Sequence, residues 1–343
     1  MQSGVHGRKK KMCFVLNMKQ YTHLCCSGGG YNGMMHIGAF AAMEHHLGGA
    51  DKFCQYMRGV KGFAGTSVGA IAALALSLRL NASDMREALN EIINAPHQIA
   101  PKLDLGRFIT DYGFDDGESA KQQIRSVLRK AGLSETTTLS DIRRLLGVDF
   151  VCCSTNLNTQ LPVYFGPDST PDMHVADAVF MSMCVPFLYA PVLYDGCFFV
   201  DGSITQNVPR CFNDCATLYF NINLDGRQTS IHKWPDYIES IVLTSMGNQW
   251  TPPATDTVSL RMPTYLAKET TIAASRYVSS GKMKRIVACG YASFVSFSHP
   301  RYILTLRTAI QFSLLVVTQH HLDAKTGSDG ELAYEDDQCI ETA

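Results

Sequence analysis

Three short stretches of this chain carry residue types whose spacing could do acyl-transfer chemistry. The first is Gly65-Thr66-Ser67-Val68-Gly69, one serine hydroxyl between two glycines, directly ahead of an apolar run to Leu78. A serine in this spacing on a tight strand-to-helix turn is a nucleophile elbow, because small flanking residues let the turn close and the helix approach the sheet. The same residues also read as a plain helix start with Thr66 or Ser67 as N-cap. The second stretch is Gly28-Gly29-Gly30-Tyr31-Asn32-Gly33. Consecutive glycines let backbone N–H groups converge at a helix N-terminus, where the helix dipole also favours negative charge. Such a nest suits a developing oxyanion as well as a phosphate. It fits G-x-G-x-x-G too, with Asp51 at roughly the acidic position of a dinucleotide fold. The residues before Asp51, "AMEHHLGGA", read as a helix end rather than the strand that fold requires. The third stretch is "FFVDGSITQNVP" (Phe198–Pro209), where Asp201-Gly202 follows an apolar strand and offers either a carboxylate base or a plain turn.

Elements able to position these groups are legible around them. Tyr21–Cys26 reads as a strand running into the glycine cluster, and Met34–Gly49 as the helix that follows. Val60–Ala64 is a short buried strand ahead of a helix over Ser67–Leu78. Ala82–Asn94, Glu118–Ala131 and Leu139–Leu146 have the apolar period of amphipathic helices, the last capped by Thr138 or Ser140. Val148–Ser154, Leu161–Phe165 and Leu218–Ile222 read as strands, Val175–Cys184 as a helix, and Val192–Val200 as a strand pair turning at Asp195-Gly196. Strands that alternate with helices predict an α/β fold, a three-layer α/β/α sandwich with a mostly parallel central sheet.

Bulk properties narrow the function class. With 343 residues, 46% of them hydrophobic and 18% charged, the chain can bury a sizeable core. A net charge of −1 argues against a nucleic-acid surface. The twelve cysteines are scattered, with no C-x-x-C pair, which argues against zinc and for reduced thiols in a cytoplasmic setting. Arg8-Lys9-Lys10-Lys11 precedes too short an apolar stretch for a secretory signal, and the later run around Ala309–Thr318 is too short for a membrane span. The expected organisation is a basic leader over 1–20, a catalytic domain over 21–225, a helical extension packed on it over 226–327, and an acidic disordered tail over 328–343.

Taken together and in this order, the glycine loop, the serine elbow and Asp-Gly resemble the patatin-like phospholipase family. "GGGYNGMMHIGAFAAME" is similar to that family's first strand–loop–helix, "FAGTSVGAIAAL" to its elbow, and Ala176–Pro209 to the helix, proline turn and hairpin that deliver its aspartate. The resemblance implies a patatin-like fold and a Ser–Asp dyad. Ser67 would be the nucleophile and Asp201 the base, with an oxyanion loop of Gly28, Gly29, Gly30 and Gly33 assisted by Val68, and with Gly65, Gly69 and Gly202 as motif glycines. It implies no cofactor and no metal, and no calcium-loop spacing is present. The implied substrate is a phospholipid or another acyl lipid, reached by transient contact with a membrane surface. A protein activator is compatible with the resemblance, and oligomeric state is left open. Two departures stand out: Asn32 occupies a position usually held by Arg or Lys, and Ser203 replaces a second glycine after Asp-Gly. Burial under Phe198–Val200 should raise the Asp201 pKa, without a charged partner. Two rivals are a Ser-His-Asp esterase drawing on His232, His299, His320 or His321, and a lipid-binding protein without turnover. His36 reads as packing. Pro101–Ile109 and Tyr302–Val317 read as core elements before membrane-docking ones.

Overall fold

A computed structural model of the chain describes residues 18–94, 104–223, 256–262 and 280–298, with a few isolated positions between 231 and 245. Its centre is a mixed sheet of eight strands. Four parallel pairings build the middle: β1 (His23–Cys26) lies between β2 (Gly62–Thr66) and β9 (Thr217–Asn223), β2 continues to β4 (Asp149–Asn156), and β9 to β10 (Thr257–Arg261). Strands β5 (Leu161–Phe165) and β8 (Cys197–Asp201) run antiparallel to β4, and β7 (Val192–Tyr194) runs antiparallel to β8. The inner strands are buried throughout, which is why "GFAGT" and "TLYFNIN" read as near-continuous apolar or small runs rather than as alternations.

Helices flank the sheet: α1 (Met34–Leu47), α2 (Ala50–Met57), α3 (Val68–Ser77), α4 (Ala82–Asn94), α5 (Leu105–Asp111), α6 (Glu118–Lys130), α7 (Leu139–Leu146), α8 (Val175–Met183) and a further helix over Ser280–Ser298. The fold is α/β, as the alternation of elements predicts. Side chains sort by strand face. Leu24, Cys26, Phe63, Phe150, Phe220 and Ile222 join the main core with the helices, while Cys25, Ala64, Val151 and Tyr219 form a smaller cluster with Val208. Cys152 and Cys153 are buried and unpaired. Among the described residues no helix is long and apolar enough to cross a membrane.

Several elements depart from the sequence reading. The helix read over Met34–Gly49 is ended by its glycines, Gly48 and Gly49 turning into positive φ (97° and 112°) after Leu47, but a separate α2, which the sequence reading lacked, follows directly. A two-stranded parallel sheet of β3 (Gly113–Asp115) and β6 (Phe187–Tyr189) has no sequence counterpart, each strand being only three residues long. The extension beyond residue 226 is not purely helical, since β10 adds a strand to the sheet edge. The Ser280–Ser298 helix packs tightly on α1 through small residues. A Cβ on Gly38 would lie 1.8 Å from Val287 O, and one on Gly290 1.9 Å from Met35 O. Those glycines lower helix propensity, so tertiary contact rather than pattern sets this helix. The expected core element over Tyr302–Val317, the leader up to Asn17 and the tail from Ser328 lie outside the described residues.

Candidate active site

Ser67 sits at the junction of β2 and α3 with φ 55° and ψ −131°, a backbone geometry that costs a non-glycine residue on the order of 1–3 kcal/mol. Close approach on both sides imposes this turn. A Cβ on Gly65 would meet Gly69 O at 2.2 Å, and one on Gly69 would meet Cys26 O at 2.3 Å and Ser27 O at 2.4 Å. The Ser67 N–H donates to Ser182 Oγ at 2.9 Å, and Ser182 Oγ donates onward to Cys153 O at 2.5 Å, tying the elbow to β4 and α8. The Ser67 side chain makes no capping bond to its own helix. Its hydroxyl donates instead to Asp201 Oδ2 at 2.6 Å. The plain helix-start reading therefore fails, and the serine and aspartate of the sequence motifs meet.

Asp201 closes β8, opposite Ser154 of β4. Its backbone is held at both ends: its N–H donates to Cys184 O at 2.8 Å, and its C=O accepts from Thr155 Oγ1 at 2.9 Å. Oδ1 accepts the Ser203 N–H at 2.8 Å. The carboxylate is fully buried, and no salt bridge reaches it among the described residues. Burial pushes its pKa up from the ordinary 3.8 to about 6, against the opposing hydrogen bonds from Ser67 and Ser203. Gly202 packs its α-carbon on β4, where a Cβ would lie 2.2 Å from Cys153 O.

The glycine loop lies directly over this pair. A Cβ on Gly28 would fall 3.1 Å from Ser67 Cβ, 2.3 Å from Ser203 Oγ and 2.6 Å from Asn207 Oδ1. Its N–H is already engaged, donating to Asn207 O at 3.2 Å, so Gly28 fixes the loop rather than offering a donor. The N–H groups of Gly29, Gly30 and Val68 find no acceptor among the described residues. Gly33 packs on the start of α3, where a Cβ would be 2.3 Å from Val68 Cγ2. Asn32 is buried, and its Oδ1 has no hydrogen-bond partner among the described residues.

Ser182, the Ser203 amide and Asn207 complete the arrangement, and none of them was assigned this role from the sequence. Ser182, Ser203 and Asn207 all lie inside the Ala176–Pro209 stretch that delivers the aspartate, and Ser203 and Asn207 also inside "FFVDGSITQNVP". Asp51 lies exposed in the first turn of α2, which removes the strand end a dinucleotide site needs. His232, His299, His320 and His321 lie outside the described residues, and Ser67 donates straight to Asp201 with no imidazole between them. Among the described residues no group of three or more His, Cys, Asp or Glu side chains could hold a metal ion. An open surface cleft of about 540 Å³ runs along α8 beside Lys121, His174, Phe180 and Tyr194. Neither Ser67 nor Asp201 lines it, so it is separate from this site.

The sequence pattern described as "Patatin-like phospholipase" matches residues 24–210, more than half of the chain. The chain belongs to the patatin-like phospholipase family. The match takes in all three motifs and ends before β10 and the Ser280–Ser298 helix. Among curated proteins the chain is 27% identical to "Uncharacterized protein R571" of Acanthamoeba polyphaga mimivirus, over 67% of this chain and 77% of that one. It is 23% identical to "Probable lipid hydrolase 463L" of Invertebrate iridescent virus 6, over 61% of this chain and 67% of that one. The crystal structure of VipD from Legionella pneumophila superposes with a TM-score of 0.54 at 14% identity, covering 81% of this chain and 67% of VipD. That likeness speaks for the shared fold. As a patatin-like phospholipase, the protein falls in the class of lipid acyl hydrolases.

Proposed function

We propose that this patatin-like phospholipase cleaves carboxylic esters of membrane lipids through an acyl-enzyme on Ser67, with Asp201 as general base. The observation that carries this reading is the 2.6 Å contact from Ser67 Oγ to a buried Asp201 with no cation paired to it among the described residues. An ordinary carboxylate is too weak a base for a serine hydroxyl. One raised to about 6 is better matched and is still about nine-tenths ionised at pH 7.

In the first half-reaction Ser67 Oγ attacks the ester carbonyl carbon while its proton passes to Asp201 Oδ2. The negative charge moves to the former carbonyl oxygen, where the unengaged N–H groups of Gly29, Gly30 and Val68 are the candidate donors. Each such donor typically contributes on the order of 10²–10³ in rate. Collapse of the tetrahedral species breaks the ester C–O bond, and the leaving alkoxide takes the proton back from Asp201. Water then attacks the acyl-Ser67 ester with Asp201 again as base, releasing the fatty acid and restoring the hydroxyl. No step calls on a metal.

A lipid enzyme must also meet a bilayer, and α5 is suited to that. None of its residues is buried; Leu105 (68%), Ile109 (77%) and the following Tyr112 (64%) are exposed, which corrects the expectation that this segment packs into the core. Phe108 anchors the helix by stacking on Phe114 with ring centroids 4.4 Å apart, and it also lies beside Phe187 of β6. Phe187 stands three residues beyond Cys184, whose carbonyl holds the Asp201 amide, so this apolar ridge is continuous in the chain with the site.

A fluorogenic phospholipid in vesicles, assayed with the parent protein, Ser67→Ala, Asp201→Asn and added EDTA, tests the reading. Turnover in the parent, loss of about 10²-fold or more in both variants and indifference to EDTA are expected. Turnover that survives both substitutions would move the site elsewhere, and no turnover in the parent would favour lipid binding without hydrolysis.

A further inference from the structure

We propose that His36 is a positioning residue for the oxyanion loop: a neutral imidazole whose Nε2–H holds the Ser27 carbonyl and thereby fixes the direction of the Gly29 amide. This rests on the reading of Ser67 as nucleophile. His36 is the third residue of α1, fully buried, and stacks on Phe40 with ring centroids 6.0 Å apart. Nε2 lies 3.0 Å from Ser27 O, and Nδ1 has no partner among the described residues. A carbonyl only accepts, so Nε2 must carry the hydrogen and Nδ1 is left as a bare acceptor. Burial holds the ring well below its usual pKa, to about 4, so it stays neutral at working pH. A buried acceptor without a partner is rare and destabilising. A leucine would fill this apolar position beside Phe40 without that cost. Packing alone therefore does not account for an imidazole here; its bond to Ser27 does.

The consequence of that bond follows from peptide geometry. A trans peptide points its C=O and N–H in opposite directions in one plane. The Ser27–Gly28 plane is held at both ends, its C=O by His36 Nε2 and its N–H by Asn207 O at 3.2 Å. The next plane, Gly28–Gly29, is held through the Gly28 carbonyl, which accepts from Ser27 Oγ at 3.0 Å and from Asn207 Nδ2 at 3.5 Å. Its opposite end is the Gly29 N–H, which has no acceptor among the described residues. Two consecutive planes are thus pinned so that the Gly29 N–H, the donor of the second, is aimed without a ligand present. Ser27 itself is tied to β9 through its N–H on Phe220 O at 2.9 Å and its Oγ on the Ile222 N–H at 2.8 Å, which leaves the carbonyl as the end that His36 controls.

His36→Leu and His36→Gln, made in the full chain, separate aiming from filling. Leucine keeps the volume and removes the donor. Glutamine returns an N–H near the position of Nε2. With a short-chain soluble ester, His36→Leu should lose about 10–100-fold in kcat, with KM within about threefold and an unchanged melting temperature. His36→Gln should recover kcat to within about fivefold of the parent. Amide hydrogen exchange at Gly28 should speed up at least about tenfold in His36→Leu and stay near the parent rate in His36→Gln. Equal losses in both variants, a loss carried by KM, or an unchanged Gly28 exchange rate in His36→Leu would overturn the proposal. The exchange measurement does not depend on the identity of the nucleophile. Turnover surviving in Ser67→Ala while Gly28 exchange still follows the His36 series would sink the Ser67 reading and leave the positioning role standing.

Discussion

Replacing Asp201 by Asn should inactivate this protein and make it more stable. The folded carboxyl titrates at about 6 against an ordinary 3.8, because burial disfavours its charge. Between those values the native chain binds more protons than the unfolded one, so stability falls as the pH rises through that window, and the full cost is present above pH 6. The difference of about 2 pH units corresponds to ~3 kcal/mol at neutral pH. Asparagine carries no charge to desolvate and has a workable bonding pattern. Its Oδ1 accepts the Ser203 N–H now held at 2.8 Å, and its Nδ2 donates to Ser67 Oγ, reversing the present 2.6 Å bond. Urea unfolding at pH 7.5 should show Asp201→Asn more stable than the parent by about 1–3 kcal/mol, and at pH 5 by roughly half as much, since the parent carboxyl is by then largely protonated. The variant should lose about 10²–10⁴-fold in turnover, the range for removing a general base. An Asn variant no more stable than the parent at pH 7.5, or a margin that does not shrink at pH 5, would refute the claim that Asp201 is held charged against its burial.

On the proposed reading the same carboxyl sets the acid limb of the rate. kcat/KM on a soluble ester should fall about tenfold between pH 7 and pH 5, with an inflection near 6 rather than near 4. Leu105→Ser combined with Ile109→Ser should cut hydrolysis of vesicle phospholipid about tenfold or more, yet leave a soluble short-chain ester within about twofold, because both side chains are exposed in the protein and on the proposed reading only a bilayer would bury them. Gly69→Ala should cost more than about 3 kcal/mol, read as a collapsed melting temperature or lost soluble yield, since its Cβ would sit 2.3 Å from backbone. Gly196→Ala, where φ is 73° and the space is open, should cost only about 1 kcal/mol.

What the sequence made legible follows from how local each signal is. Gly65, Ser67 and Gly69 are written into one turn, and the contacts a Cβ would meet at both glycines are the physical content of that motif. Asp201 was legible because an apolar strand delivers it and a tight turn follows. Strand existence was clear and strand ends were not; β2 begins at Gly62 rather than Val60, because the ladder with β1 and not local composition sets its bounds. Partners that act across the fold left no trace in the chain. Ser182 lies 115 positions from the amide it holds, and Asn207 lies 179 positions from Gly28. β10 and the Ser280–Ser298 helix, the latter carrying Gly281, Gly290 and four serines, take their shape from β9 and α1. His36 shows the limit in reverse. A histidine on an apolar helix face reads as packing, and only the carbonyl opposite Nε2 reveals otherwise.

Three locally unfavourable features converge at this site: a serine with positive φ, a buried carboxylate without a cation, and a buried imidazole with one bare nitrogen. Each disagrees with what a stability-driven sequence would place there, and such disagreements concentrate where function overrides packing. They are also mechanically linked. The Ser67 turn is held by Ser182 through β4, Asp201 by Cys184 and Thr155, and the glycine loop by Asn207 and His36. Most of these anchors sit on strands or helices of the buried core, so relaxing any one of the three groups would mean breaking ordered backbone elsewhere. Asn32 belongs to the same logic. An uncharged residue at 32 brings no cation into the loop, and a cation near Asp201 would favour its ionised form and weaken it as a base. On the proposed reading the base draws its strength from desolvation and the oxyanion is met by backbone amides, whose aim then matters more than their charge.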